Sequence, residues 1–452
     1  MTLKAKAGSL KEVFGIALPM MISNACDTVM TVTDRYFLSQ LGPEHMAAAM
    51  GGGVFSFTMM SFFIGILGYS TAMVAQNYGA DKKEMCFRVT FQAILIALLS
   101  FPVIISFIPL FVRSFDWIGL DPLQIEQQVP YFSILTYGCV LPLLRMALSN
   151  FFSGLGLTNR VMFSSFVTLI VNVVANYILI FGRLGIEPMG IRGAAIGSLI
   201  ASASGVLTLI LFIFCSDYAK EFKILSSCRF DKKLFKTLIK FGYPAGIEFF
   251  LNLMAFSLIV SLFQKHSLVS ATAITVVLNW DMVAFVPLIG LEIATTSLVG
   301  RYVGAKNYDI AHKSVVSSFK LGMIYCLIVS CAFAFFPYFL IELYRPDGYS
   351  ETFNEALPLS VTMLRITSLY VLVEALMIVY SGALRGAGDT FWAMIISVSI
   401  HWSLVAVLYL SLFILNYSVV TSWLNLSFVF LVLSTAFYLR YRSGNWKKIQ
   451  VI

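Results

Sequence analysis

Residues 17–49 read ALPMMISNACDTVMTVTDRYFLSQLGPEHMAAA. The apolar run at 13–38, which overlaps the first part of this stretch, is long enough to cross the ~30 Å hydrocarbon core of a bilayer as one helix. It nevertheless contains Asp27 and Asp34, and a charge at membrane depth costs at least ~2.5 kcal/mol on insertion scales. Because the two acids are seven residues apart, they share one helical face and can line one cavity wall, about 10 Å apart along the axis. We therefore predict a first membrane-spanning helix whose acids need a functional or structural reason.

The rest of the chain is equally apolar. Of 452 residues, 59% are hydrophobic and 12% are charged, and the mean hydropathy is +0.86, whereas soluble proteins are about 25% charged. Such a chain folds in a bilayer, which excludes the water-soluble classes. We predict an all-α integral membrane protein with twelve transmembrane helices, at 13–38, 46–76, 90–113, 130–153, 161–182, 190–215, 239–263, 270–300, 316–343, 358–384, 391–413 and 416–439.

The basic residues lie in short segments between these helices. Lys and Arg gather in cytoplasmic loops, and their distribution here, with Arg385 as one of the loop cations, places both termini in the cytoplasm. The formal net charge of +8 is therefore a topology signal, and we expect no nucleic-acid partner. We predict a multi-pass protein of the inner (plasma) membrane.

The two halves of the chain resemble each other. Four signatures recur at a nearly constant offset: Pro19 as Pro244, Gly65 as Gly290, Gly79-Ala80 as Gly304-Ala305, and Ser153-Gly154 as Ser381-Gly382. This duplication predicts two pseudo-symmetric six-helix lobes around a central cavity, related by an axis along the membrane normal. We place the lobes at 1–215 and 239–440, a basic cytoplasmic linker at 216–238, and a cytoplasmic tail at 441–452.

Ionisable residues at membrane depth are the candidate functional groups. Arg145, Arg365 and His401 stand there against six acids, which are Asp27, Asp34, Glu248, Asp281, Glu292 and Glu374. An acid-rich interior favours cations. The alternative for each acid is a hydrogen bond between helices or a pair with one of the arginines, and for His401 it is packing.

Two amides add oxygen ligands. Asn172 and Asn176 are four residues apart and present their side chains on one face of the fifth span. Together with a carboxylate and a hydroxyl they suit a small cation such as Na⁺, although pairing of asparagines between helices remains open. We find no catalytic or ATP-binding motif and no CxxC among the seven cysteines. We therefore expect neither an enzyme nor a cofactor, and an ion gradient must supply the energy.

Several stretches resemble the multidrug and toxic compound extrusion (MATE) family. These are the opening segment at 17–49, VTLIVNVVANYILIFG at 167–182, GIRGAAIGSLIAS at 190–202, LVGRYVGAKNYDIAH at 298–312 and YSGALRGAGDT at 380–390. Their order and spacing together cover essentially the whole chain. The resemblance implies the MATE fold and export of organic cations in exchange for inward Na⁺ or H⁺.

The resemblance also implies two cation sites. In the N-terminal lobe the site is Asp34, Asn172, Asn176 and Ser198, with Na⁺ held by the acid and the two amides. In the C-terminal lobe it is Glu374, eleven residues before Arg385, with Tyr370, Glu248 and Asn252. Asn252 stands where a family branch has Glu, and Glu248 is the nearest acid. Asp27, Asp281 and Glu292 are secondary candidates.

The function predicted from the sequence is thus secondary active multidrug efflux of organic cations or xenobiotics, driven by Na⁺ or H⁺. A flippase for lipid-linked saccharides is the first alternative, but its pyrophosphate substrate would need a basic cavity. A polytopic membrane enzyme is the second alternative. The expected partners are small organic cations and membrane lipids, and we expect a monomer.

Overall fold

A computed structural model describes residues 6–118, 122–346 and 350–452 of the chain. Within these ranges the regular structure is helical throughout, without a strand. The first half contains α1 (Leu10–Ser39), α2 (Pro43–Gly68), α3 (Ser70–Gly79), α4 (Lys83–Ser106), α5 (Ile108–Ile118), α6 (Pro122–Tyr137), α7 (Val140–Gly154), α8 (Thr158–Phe181), α9 (Gly190–Phe214), α10 (Tyr218–Glu221) and α11 (Ile224–Ser227).

The second half has fewer and longer helices. They are α12 (Lys232–His266), α13 (Leu268–Gly304), α14 (Tyr308–Phe335), α15 (Pro337–Glu342), α16 (Glu351–Ala387), α17 (Thr390–Tyr409) and α18 (Val419–Arg442), with a π-helical turn at Leu410–Ile414 and a 3₁₀ turn at Asn445–Lys448.

The helices confirm the predicted membrane spans. In the described residues, eleven helical segments are long and apolar enough to cross a bilayer. A twelfth span results when α6 and α7, which meet at a bend of 44°, count as one. The prediction of an all-α membrane protein with twelve spans is therefore confirmed, and the chain is a multi-pass membrane protein.

The helix ends repeat with the offset that relates the paired prolines in the sequence. This offset separates Pro43, where α2 begins, from Leu268, where α13 begins, and it also separates the last residues of α3 and α13, Gly79 and Gly304. The first half breaks this span into α2 and α3, whereas the second half keeps it as one helix. The duplication is thus visible in the helix boundaries as well as in the amino acids.

The backbone forms two compact units. The C-unit comprises Met1–Met21, Glu248–Val303 and Asn307–Gln450, and the N-unit comprises Ile22–Ile247, Gly304–Lys306 and Val451–Ile452. The first part of α1 therefore belongs to the C-unit and the first part of α12 to the N-unit. The contiguous lobes at 1–215 and 239–440, with the linker between them, stay a prediction.

Two equivalent glycines explain how each unit accepts its helix segment. A Cβ on Gly290 of α13 would lie 2.5 Å from the backbone nitrogen of Met21 in α1. A Cβ on the repeat-related Gly65 of α2 would overlap the carbonyl oxygen of Ala245 in α12. Only glycine permits such close approach of two helix backbones, so both copies have kept it.

Candidate functional site

Three helices of the N-unit meet at Asp34. Its Oδ1 accepts a hydrogen bond of 2.5 Å from Nδ2 of Asn176 on α8, and its Oδ2 accepts one of 3.2 Å from Oγ of Ser198 on α9. Nδ2 of Asn172, one turn before Asn176, donates to the Ser198 hydroxyl at 3.4 Å. The side chains of Asp34, Asn172 and Asn176 are buried. The structure thus brings together the four residues that the sequence selected for the N-terminal lobe.

A glycine that the sequence analysis did not select shapes this site. Gly197 of α9 directly precedes Ser198, and a Cβ on it would overlap Oδ1 of Asn176. The absence of a side chain lets the asparagine amide approach α9 closely while its nitrogen reaches Asp34. The signal was present in the sequence, because Gly197 belongs to the conspicuously small-residue stretch GIRGAAIGSLIAS.

The oxygen atoms of the site fit a small hard cation. Oδ1 of Asn172 and Oδ1 of Asn176 are buried without a hydrogen-bond partner in the described part of the chain. Buried carbonyl oxygens are usually satisfied, and with the carboxylate and the hydroxyl these two amides supply the oxygen ligands that Na⁺ takes. Histidine or cysteine ligands are not needed for such an ion.

Asp27 belongs to a different cluster, although it shares a helical face with Asp34. Nη2 of Arg145 on α7 donates to both its carboxylate oxygens, at 2.7 and 2.9 Å. The pairing with an arginine was the structural alternative for this acid. Asp27 therefore has a counter-ion of its own and is not part of the Asp34 network.

In the C-unit, Glu374 and Tyr370 of α16 lie with Asp281 of α13. The Tyr370 hydroxyl donates to Oδ1 of Asp281 at 2.8 Å, and the carboxyl groups of Asp281 and Glu374 are close enough to interact electrostatically. Glu374 is buried, and its Oε2 lacks a hydrogen-bond partner within the described residues. Asp281, which was only a secondary candidate in the sequence, thus lies near Glu374.

Glu248 and Glu292 share one arginine. Arg385 donates from Nη2 to Glu248 at 3.0 Å and from Nη1 to Glu292 at 2.9 Å. Arg385 was predicted in a loop, and this is wrong because α16 continues to Ala387. Both acids therefore have a cationic partner that was not among the arginines predicted at membrane depth.

Asn252 makes a neutral contact. Its Nδ2 donates to Oγ of Ser397 on α17 at 2.8 Å, and the backbone oxygen of Ser397 lies 2.8 Å from Nδ1 of His401. The structure therefore separates the C-lobe candidates into three groups: Glu374 with Tyr370 and Asp281, Glu248 with Arg385, and Asn252 with Ser397.

The chain matches a known family in both of its halves. The MatE family model matches residues 19–178 and 244–411, so the two matches begin at the paired prolines, Pro19 and Pro244. The probable multidrug resistance protein NorM of Thermotoga maritima is 24% identical over 98% of this chain and 94% of its own length. Multidrug resistance protein MdtK of Yersinia enterocolitica is 24% identical over 87% of this chain and 85% of its own length.

Solved structures show the same fold. A MATE crystal structure in the straight conformation superposes with a TM-score of 0.86 at 20% identity, over 99% of this chain and all of that one. A MOP-superfamily transporter from Pyrococcus furiosus, for which a reverse polarity of the binding pocket suggests a different function, gives 0.87 at 20% identity over 99% of this chain and 100% of its own. Because the family model matches both halves of the chain, and because the fold and the membrane spans agree with it, the chain belongs to the MATE family of transporters.

Proposed function

We propose that the protein is a secondary active multidrug exporter that expels organic cations or other xenobiotics in exchange for Na⁺ or H⁺. The observation that carries the proposal is the presence, in the candidate sites, of acids without a cationic partner. Asp34, Asp281 and Glu374 have no ion pair within the described ranges, whereas Asp27, Glu248 and Glu292 are paired with arginines. The relatives named for multidrug resistance support the same direction.

The charge balance also separates this proposal from the alternative. The two arginines at membrane depth that contact acids, Arg145 and Arg385, are already neutralised by three carboxylates. Three further acids remain, and Arg365 is exposed on α16, so the groups left to meet a substrate at the two candidate sites are anionic or neutral. A pyrophosphate-linked saccharide would be repelled by them, while an amphipathic cation would be attracted.

We assign the coupling ion to the Asp34 site. A Na⁺ ion would be held by the carboxylate, the two orphaned amide oxygens and the Ser198 hydroxyl, and a proton would bind the carboxylate itself. In either case the ion competes with the hydrogen bonds that now fix Asp34 to α8 and α9. Occupation of the site would therefore change how α1 is held to its neighbours.

We propose that the acids of the C-unit bind the positive charge of the substrate. Asp281 supplies the second carboxylate at Glu374, where Asn252 cannot, and the aromatic Tyr370, stacked on Phe430 with ring centroids 5.6 Å apart, offers apolar contact. The exporter would act as a monomer in the inner membrane with both termini in the cytoplasm.

The test uses purified protein in proteoliposomes with Na⁺ and H⁺ gradients imposed separately. Export of a fluorescent organic cation should follow one gradient, and Asp34→Asn should abolish this dependence. Glu342→Gln, which changes an exposed acid of α15, is the matched control and should export normally. An Asp34→Asn variant that exports at the wild-type rate under the same gradient would sink the proposal.

A further inference from the structure

The ion pair of Asp27 and Arg145 is not used by the proposed mechanism. One nitrogen, Nη2 of Arg145, lies 2.7 and 2.9 Å from the two carboxylate oxygens. The pair is unequal in exposure, because the Asp27 side chain is 40% exposed and that of Arg145 is 18% exposed. Asp27 thus has the more exposed side chain of the two, and both residues belong to the N-unit.

The packing of Arg145 shows that the N-unit is shaped to receive it. A Cβ on Gly205 of α9 would lie 2.8 Å from Cδ of Arg145 and 2.5 Å from Oγ1 of Thr168. The arginine stem therefore lies against the bare backbone of α9, and the guanidinium extends from α7 to α1. An arginine held along its stem in this way reaches Asp27 as a tethered cation.

The internal repeat shows which residues the C-unit has at the positions equivalent to this ion pair. At the offset that relates the paired prolines, Asp27 corresponds to Asn252 in the C-unit. At the slightly larger offset of the paired Ser-Gly motifs, which applies to α7 and α16, Glu374 corresponds to Met146, the residue next to Arg145. At the positions where the N-unit has an acid together with its own cation, the C-unit therefore has the uncharged residues Asn252 and Val373.

We propose that Asp27 is a second cation site of the N-unit and that the Arg145 guanidinium occupies it as a built-in ligand. Arg145 thereby acts as a specificity-determining residue, because it closes Asp27 to free cations and leaves Asp34, of these two acids, to take one. Removing the arginine side chain opens the site to a singly charged cation of the guanidinium class. Only the effect of the Asp27 site on transport rests on the proposed function.

The test is chemical rescue of the missing guanidinium. Purified Arg145→Ala in detergent is titrated with ethylguanidinium, and its melting temperature is compared with that of the wild type. Since a ligand that binds the folded state raises stability with its concentration, we expect a saturable rise in Arg145→Ala that is at least twice the wild-type response. Asp27→Asn/Arg145→Ala is the matched control and should respond like the wild type, as should Arg145→Lys, which keeps a tethered cation.

Equal responses of Arg145→Ala and Asp27→Asn/Arg145→Ala, or no response, would overturn the proposal. If Arg145→Ala does not fold, Arg145→Gln, which keeps most of the stem on Gly205, is purified with and without ethylguanidinium. Recovery of folded protein only with the probe supports the site, and failure with the probe while Asp27→Asn/Arg145→Gln folds overturns it. These readouts need no transport, so failure here is distinguishable from failure of cation export in proteoliposomes.

Discussion

Replacing Arg385 by methionine should destabilise the C-unit strongly. The change would leave Glu248, whose side chain is 3% exposed, and Glu292, whose side chain is 14% exposed, without their shared cation. Removing one partner from a buried ion pair costs about 3–5 kcal/mol, chiefly because the other charge stays buried. Since Arg385 itself keeps 30% of its side chain exposed, the site is partly screened, and we expect a loss near the lower end of this range.

The assay is equilibrium unfolding in mixed micelles, followed by tryptophan fluorescence. Arg345→Met is the matched control, because Arg345 pairs with Glu342 at 2.6 Å but the side chains are 37% and 41% exposed; exposed pairs contribute little. The triple change Arg385→Met with Glu248→Gln and Glu292→Gln should recover much of the loss. Similar losses for Arg385→Met and Arg345→Met, or no recovery in the triple variant, would refute the reasoning.

Three further predictions concern single groups. Gly197→Ala should displace the amide that contacts Asp34 and abolish gradient-dependent export in proteoliposomes, whereas Gly53→Ala, whose Cβ would meet its nearest atom at 3.9 Å, should not; wild-type coupling in Gly197→Ala would contradict the geometry. Gly290→Ala should lower the melting temperature while Gly15→Ala, with open space around its Cβ, should leave it unchanged or raise it. Tyr370→Phe should change the apparent affinity for organic cations by removing the hydroxyl from the acid pair, and an unchanged affinity would argue against a substrate role.

The helices could be predicted from the sequence because a bilayer imposes length and apolarity on each span. The predicted span at 161–182 became α8, Thr158–Phe181, and the span at 190–215 became α9, Gly190–Phe214. The N-unit site could also be anticipated, since Asn172 and Asn176 share a helical face whatever their neighbours. Periodicity places Asn172 and Asn176 on one face of a helix, but the choice of Asp34 over Asp27 and the selection of Ser198 came from the resemblance to the MATE family.

The partners of each face could not be predicted in the same way. Arg385 contacts acids that lie 93 and 137 positions away in the sequence, and no local pattern encodes such a distance. Asp27 and Asp34 show the same limit, because one helical face can meet different neighbours along its length. Asp27 meets α7, whereas seven residues later Asp34 meets α8 and α9.

The charged clusters of each repeat have uncharged counterparts in the other repeat. The cluster of Glu248, Glu292 and Arg385 corresponds, at the same offsets, to uncharged residues of the N-unit, Ser23, Leu67 and Leu157. The pair of Asp27 and Arg145 likewise corresponds to Asn252 and Val373.

In each repeat, all the members of an ion-paired cluster are therefore either present or absent together. This is expected, because losing one member would leave a costly buried charge. Asp34, Asp281 and Glu374 also have uncharged counterparts, but no ion pair among the described residues accounts for their presence. Their counterparts are Ile259, Ser56 and Met146, and no cation in the described part of the chain pairs with them. A charge that is kept at membrane depth without a counter-ion raises the free energy of the folded protein, and for this reason we propose that these three acids meet a cation or a proton from outside the chain.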